Sequence, residues 1–146
     1  MASVHPYLNF SGNCEEAFDF YSSVFGGELS DVNRYSEAPP DAASYVPSME
    51  SEADKIMHIS LPIGEGQVLM GSDRPASMGP TTVGDNIHVS ISPDTAGEAK
   101  RIFDGLSDGG RVTMPFETVF WGADFGMCTD KYGINWMVNY DPNQPG

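Results

Sequence analysis

The chain has 146 residues, of which 40% are hydrophobic, and this is enough for one domain with a real core. Its 21 acidic and 7 basic residues give a formal net charge of −14, which argues against nucleic-acid and membrane-surface partners. Because the chain has neither a signal-peptide layout nor an apolar run of about 18 residues, we expect a cytoplasmic protein.

The first predicted elements are a strand over residues 4–10 and a helix after it. Alternation along the strand places valine, proline, leucine and phenylalanine on one face and His5, Tyr7 and Asn9 on the other. Asn13 is the predicted N-cap of the helix. Apolar residues then recur at helical spacing, namely Ala17, Phe18, Tyr21, Val24 and Phe25.

A strand over residues 28–35 leads into a long loop over residues 36–54, which is rich in proline and acidic residues. Tyr45, Val46 and Met49 would allow this loop to cover a pocket as a lid. A solvated insertion without a role is the alternative.

Residues 55–63 and 67–72 are predicted to form a hairpin that turns at residues 64–66. His58 lies on the less apolar face of the first of these strands, and Met70 lies in the second. Residues 74–84, which contain Pro75 and Pro80, read as a linker.

After the linker, the pattern of the first half returns. A strand over residues 87–92 has an apolar face and a face with His88 and Ser90, and Thr95 with Glu98 forms a capping box for the next helix. Strands are predicted over residues 111–121, interrupted at Pro115 as in an edge strand, then over 125–129 and 134–139. Residues 130–133 form the turn that sets the register of the last strand.

The spacing of glycines shows that the two halves are copies of one unit. His5 and His88 are each followed, at the same intervals, by a glycine pair that suits a helix end, residues 26–27 and 109–110. We therefore predict an α+β fold with two tandem β-α-β-β-β modules that form a curved mixed sheet around a cleft. Module 1 covers about residues 1–73 and module 2 about 85–141, within a single domain of residues 1–146.

The two cysteines, Cys14 and Cys128, have no metal-binding or CxxC spacing, and nothing supports a disulfide between them. We expect Cys14 to be an inert, partly buried thiol. A thiol with a lowered pKa at a helix N-terminus is the alternative.

Three segments carry a resemblance to a known family: PYLNFSGNCEEAFDFY, the FW of residues 120–121, and TDKYGINWMVN. They look like the PhnB-like branch of the vicinal oxygen chelate superfamily, which includes glyoxalase I, bleomycin-binding proteins and extradiol dioxygenases. This branch is often labelled as a 3-demethylubiquinone methyltransferase-like domain. The resemblance covers nearly the whole chain, departs mainly in residues 36–54, and implies a homodimer.

In glyoxalase-type members, one divalent metal ion is held by a residue on the first strand and another on the last strand of each module, commonly His and Glu. The resemblance places the first-strand ligands at His5 and His88 and the last-strand positions at Met70 and Met137. A thioether is a poor ligand for hard divalent cations. With His58 as a third imidazole, the cleft could still bind one ion of Zn, Ni, Fe or Mn.

The resemblance leads to two alternative functions, each with a small organic molecule in the cleft. One is a metal-dependent enzyme of the lyase, isomerase or dioxygenase type, with Glu117 as a catalytic base. The other is a metal-free, non-catalytic binder that sequesters a drug or metabolite. The methionines argue against glyoxalase I activity, and no glycine-rich nucleotide-binding turn supports a methyltransferase. The predicted ligand-binding residues are Tyr7, Asn9, Met70, Ser90, Trp121, Phe125 and Met137.

Each candidate residue also has an ordinary structural explanation. The histidines could be hydrogen-bonded residues of strands, and the methionines and aromatic residues could pack in a core. A solvated carboxylate on an edge strand is the alternative for Glu117.

Overall fold

The computed structural model describes residues 2–37 and 53–143. The chain divides into two compact units, unit 1 over Met1–Thr82 and unit 2 over Val83–Gly146. Among the described residues, each unit contains one α-helix and four strands in β-α-β-β-β order, which confirms the predicted α+β fold class. The predicted lid residues Tyr45, Val46 and Met49 lie outside the described residues, so the lid stays a prediction.

In the described part of unit 1, a four-stranded mixed sheet is covered by one helix. Its elements are β1 (Tyr7–Phe10), α1 (Cys14–Phe25), β2 (Ser30–Arg34), β3 (Ile56–Gly64) and β4 (Gln67–Asp73). The strand order is β1-β4-β3-β2, in which β1 runs parallel to β4 and the other pairs are antiparallel. The first strand is therefore shorter than predicted, since it begins at Tyr7.

The core of unit 1 lies between α1 and one face of its sheet. Phe18 of α1 is fully buried and meets the ring of Phe10 edge to face, with centroids 6.2 Å apart. A Cβ atom at Gly71 of β4 would lie 2.6 Å from Cε1 of Phe18. Only glycine therefore lets the helix approach this strand so closely. Other core residues are Leu8, Ala17, Tyr21, Ile59, Leu61 and Leu69.

The N-terminus of α1 is capped by a side chain from the neighbouring strand β4 rather than by its own N-cap residue. Asn13 occupies the N-cap position as predicted, but its side chain makes no capping hydrogen bond. Instead, Oδ1 of the buried Asp73 accepts hydrogen bonds from the amides of Gly12 (3.0 Å) and Cys14 (2.9 Å). Its Oδ2 accepts one from the amide of Ile56 (2.9 Å). One carboxylate thus joins the starts of α1 and β3 to the end of β4.

Unit 2 repeats this topology. Its elements are β5 (Val89–Ile91), α2 (Ala96–Ser107), β6 (Arg111–Thr118), β7 (Asp124–Thr129) and β8 (Asn135–Tyr140). The strand order is β5-β8-β7-β6, with β5 parallel to β8. The hydroxyl of Thr95 accepts a hydrogen bond from the amide of Glu98 (3.1 Å), which confirms the predicted cap of α2. The edge strand β6 contains Pro115 but ends at Thr118, before the predicted position.

A buried carboxylate also sets the last strand of unit 2. Oδ1 of Asp130 accepts from the amides of Tyr132 (2.8 Å) and Ile134 (3.1 Å), and Oδ2 accepts from Nε1 of Trp136 (2.8 Å). Trp136 is fully buried. The predicted role of residues 130–133 as a register-setting turn agrees with these bonds. Ile102, Phe103, Leu106 and Val138 complete this core.

Both cysteines are free and buried. Burial raises the pKa of the Cys14 thiol well above its usual range, and the charges of Asp73 and Glu15 raise it further. Burial and Asp130 raise the pKa of Cys128 to about 11. The burial predicted for the Cys14 thiol is confirmed, and the raised pKa contradicts the alternative of a lowered one. No helix in residues 2–37 and 53–143 is long and apolar enough to span a membrane.

Candidate functional site

The face of the unit 1 sheet opposite α1 is lined by polar side chains and one thioether. Since Leu8 and Phe10 point into the core, their neighbours Tyr7 and Asn9 lie on the other face. Tyr7 is paired across the sheet with Met70, and Met70 with Ser60. We call this surface the open face of unit 1, and it comprises Tyr7, Asn9, His58, Ser60, Met70 and Ser72.

A chain of hydrogen bonds crosses the open face of unit 1. The hydroxyl of Tyr7 lies 3.2 Å from Nδ1 of His58, and Nε2 of His58 lies 3.0 Å from Oγ of Ser60. A neutral imidazole has one donor and one acceptor nitrogen. Either Tyr7 donates to His58 and His58 donates to Ser60, or both hydrogen bonds have the opposite direction. Tyr7 is 44% exposed and Ser60 is 4% exposed. The Tyr7 hydroxyl is therefore the exposed end of this chain and can form a hydrogen bond with a ligand.

His5 and His88 lie just before the first strands of their units, so their placement within strands was wrong. Pro6 follows His5 and has no amide hydrogen for a strand ladder, although its carbonyl accepts a hydrogen bond from Met70 (3.1 Å). In unit 2, the side-chain NH2 group of Asn135 donates hydrogen bonds to the backbone carbonyls of Gly84 and Ile87, which precede β5. Both histidines are half-buried.

The open face of unit 2 carries a row of three methionines. Ser90 is paired with Met137, Met137 with Met127, and Met127 with Met114. We call this surface, together with Phe125 and Asn139, the open face of unit 2. Ser90, Met137 and Phe125 were predicted from the sequence, whereas Met114 and Met127 were not. Gly126 and Cys128 of β7 are buried, so alternation along this strand would have placed Met127 on the opposite, open face.

The remaining predicted residues lie at the edge of unit 2. Glu117 is exposed on β6 and is paired with Phe125, which is paired in turn with Asn139. Trp121 is 52% exposed in the turn after β6, with its ring centroid 5.9 Å from that of Phe125. These aromatic rings form an accessible surface beside the methionine row, and Glu117 is a solvated carboxylate next to it.

Neither open face fits a hard divalent metal ion. Within either unit, no three described His, Cys, Asp or Glu residues form a group that could hold a metal. The last-strand positions Met70 and Met137 supply thioethers, which such ions bind poorly. Both ring nitrogens of His58 are already engaged.

The chain is similar in sequence to known proteins over nearly its whole length. The model of the Glyoxalase/Bleomycin resistance protein/Dioxygenase superfamily matches residues 3–138. The chain is 34% identical to Protein YjdN of Escherichia coli (strain K12), with 97% of each chain covered.

Two solved structures are similar over nearly their full lengths. Protein PA1353 from Pseudomonas aeruginosa has a TM-score of 0.82 and 38% identity, over 97% of this chain and 98% of that one. The PhnB protein from Bacillus cereus has a TM-score of 0.73 and 25% identity, over 95% and 99%. These similarities confirm the predicted family and its PhnB-like branch.

Proposed function

The chain belongs to the Glyoxalase/Bleomycin resistance protein/Dioxygenase superfamily, and we propose that it binds a small organic molecule against the open faces of its sheets. The observation that carries this proposal is the Tyr7–His58–Ser60 hydrogen-bond chain beside Met70. Small-molecule sites combine a few positioned polar groups with a mainly apolar lining. The open face of unit 1 has both within one surface.

The thioethers and aromatic rings supply the apolar contact. Methionine side chains are flexible and polarizable, so Met70 and the row of Met114, Met127 and Met137 can adapt to an irregular ligand. Trp121 and Phe125 offer ring faces to a planar one. Because the last-strand positions are thioethers, we propose metal-free binding, as in a protein that sequesters a drug or metabolite.

A metal-dependent enzyme of the lyase, isomerase or dioxygenase type is the second candidate. It is favoured by the matching positions of His5 and His88, each just before the first strand of its unit. Glu117 would be the base in such an enzyme. Metal analysis of the purified protein separates the candidates, since the enzyme requires stoichiometric metal that a His5→Ala, His88→Ala double variant loses. Metal at wild-type level in that variant would exclude these ligands.

Binding is tested by titrating the protein with a panel of small organic compounds that includes bleomycin and catechol. We expect at least one compound to bind before and after dialysis against EDTA. Tyr7→Phe, which removes only a hydroxyl, should weaken binding by about two- to tenfold, the usual worth of one hydrogen bond. Met70→Ala should weaken it through lost packing.

Tyr140→Phe is the matched control for the Tyr7 variant. Tyr140 lies on β8 at the alternation shared by the buried Trp136 and Val138, so its loss of a hydroxyl should leave affinity unchanged. If no compound binds, or if Tyr7→Phe and Met70→Ala bind as the wild type does, the open face of unit 1 is not the ligand surface.

The relatives' family also leads us to propose a cytoplasmic homodimer. Light scattering during size-exclusion chromatography should give about twice the chain mass of 15.8 kDa. A monomer at all concentrations would contradict this part of the proposal.

A further inference from the structure

A cavity of about 440 Å³ lies at one end of the unit 1 sheet, and its residues are not those of the open face. Ser11 and Gly12 follow β1, Arg74 follows β4, and Lys55 precedes β3. Because β1 and β4 are parallel and β3 is antiparallel to β4, these positions meet at the same end of the sheet. The size is typical of a small-molecule site. The lining residues are Ser11, Gly12, Lys55, Arg74, Ala76, Gly79 and Pro80.

The cavity brings together two of the seven basic residues of a chain whose net charge is −14. Among the described residues, neither Lys55 nor Arg74 forms an ion pair with a carboxylate. The nearby carboxylate of Asp73 accepts hydrogen bonds from three backbone amides instead. Asp54, the chain neighbour of Lys55, is exposed, and its carbonyl accepts a hydrogen bond from Arg34. Within residues 2–37 and 53–143, these two cations therefore have no carboxylate partner.

The guanidinium of Arg74 is held in place but incompletely satisfied. Its Nη2 donates to the carbonyl of Met78 (2.7 Å), whereas its Nε is buried and has no hydrogen-bond partner among the described residues. A buried donor on a charged group is costly when it lacks an acceptor. The ammonium of Lys55 donates to the carbonyl of Gly12 (3.2 Å), and it has three hydrogens to donate. Both groups can still bind an acceptor.

We propose that this cavity binds a phosphate-type dianion. A tetrahedral oxyanion supplies acceptors for the guanidinium of Arg74 and for Nζ of Lys55, and its charge offsets theirs. Ser11 adds a hydroxyl, which is itself positioned by the amide of Thr81 (2.9 Å). The dianion is either free phosphate or the phosphate group of a small ester. This site is independent of the small-molecule surface proposed above.

The test is a titration with inorganic phosphate at pH 8, compared with sodium chloride at equal ionic strength. We expect saturable binding to the wild type, measured by calorimetry and by a rise in melting temperature. Arg74→Met and Lys55→Met should each weaken binding by at least about tenfold, because each removes a charge-assisted hydrogen bond. Lys100→Met, which removes an exposed lysine that pairs with Asp104, is the matched control and should bind as the wild type does.

Circular dichroism shows whether each variant is folded. If Arg74→Met does not fold, Lys55→Met alone still tests the proposal. The proposal is overturned if phosphate acts no differently from chloride, or if both variants keep wild-type affinity. Acetate that binds as tightly as phosphate would overturn the assignment to a dianion. Glycerol 3-phosphate distinguishes the two sources, since an ester ligand predicts tighter binding of this probe than of inorganic phosphate.

Discussion

Removing the carboxylate of Asp73 should destabilise unit 1 more than any loss of a surface charge. Asp73→Ala leaves three backbone amides without their acceptor, and those of Cys14 and Ile56 are in buried hydrogen bonds. A buried donor without a partner costs about 1–3 kcal/mol, so the two buried amides together give a loss of about 4 kcal/mol. Asp73→Asn keeps one oxygen but places an NH2 group against an amide, so about half this loss is expected.

The assay must report on unit 1. Both tryptophans, Trp121 and Trp136, lie in unit 2, so their fluorescence follows the other unit. Cys14 is fully buried in unit 1, and in a Cys128→Ala background its thiol becomes reactive to a disulfide reagent when the unit opens. Labelling of Cys14 during urea titration then gives the free energy of unfolding.

Asp19→Asn is the matched control, because Asp19 is an exposed acid on α1. It should change the free energy of unfolding by less than about 0.5 kcal/mol. If Asp73→Ala in the same background lowers it by less than about 1 kcal/mol, the idea that this carboxylate joins α1, β3 and β4 is refuted.

Three further predictions concern the helix cap, the close helix–sheet contact and a buried thiol. Thr95→Ala should lower the free energy of unfolding by about 1 kcal/mol, and Thr95→Ser by less, since serine keeps the hydroxyl that accepts from Glu98; equal losses in urea titrations would contradict a capping role. Gly71→Ala should lower the free energy of unfolding by about 1–3 kcal/mol, because the new Cβ would meet the Phe18 ring. When Gly71→Ala is combined with Phe18→Leu, the total loss should be smaller than the sum of the two single losses. Between about pH 9 and 11 the unfolded chain loses the Cys128 proton while the folded chain keeps it. The free energy of unfolding should therefore fall with rising pH by up to about 1.4 kcal/mol per pH unit. Cys128→Ala should show a shallower fall, and identical slopes for the two proteins would count against the raised pKa.

The amino-acid sequence by itself determined the repeated β-α-β-β-β order, because helical and strand periodicities are local properties of the chain. Alternation placed Tyr7 and His58 on the less apolar sides of their strands, and the structure brings both onto one face together with Met70. The Thr95 cap was equally predictable, since donor and acceptor lie three residues apart.

Only the tertiary structure decided which distant residues meet. Asp73 binds amides 59 and 61 residues earlier in the chain, and for this reason the cap of α1 was assigned to the wrong side chain, that of Asn13. Lys55 and Arg74 share a cavity because three strand ends lie together, and the methionine row exists because of cross-strand register. Local periodicity shows which way a side chain faces, but its neighbours depend on strand pairings between distant segments of the chain.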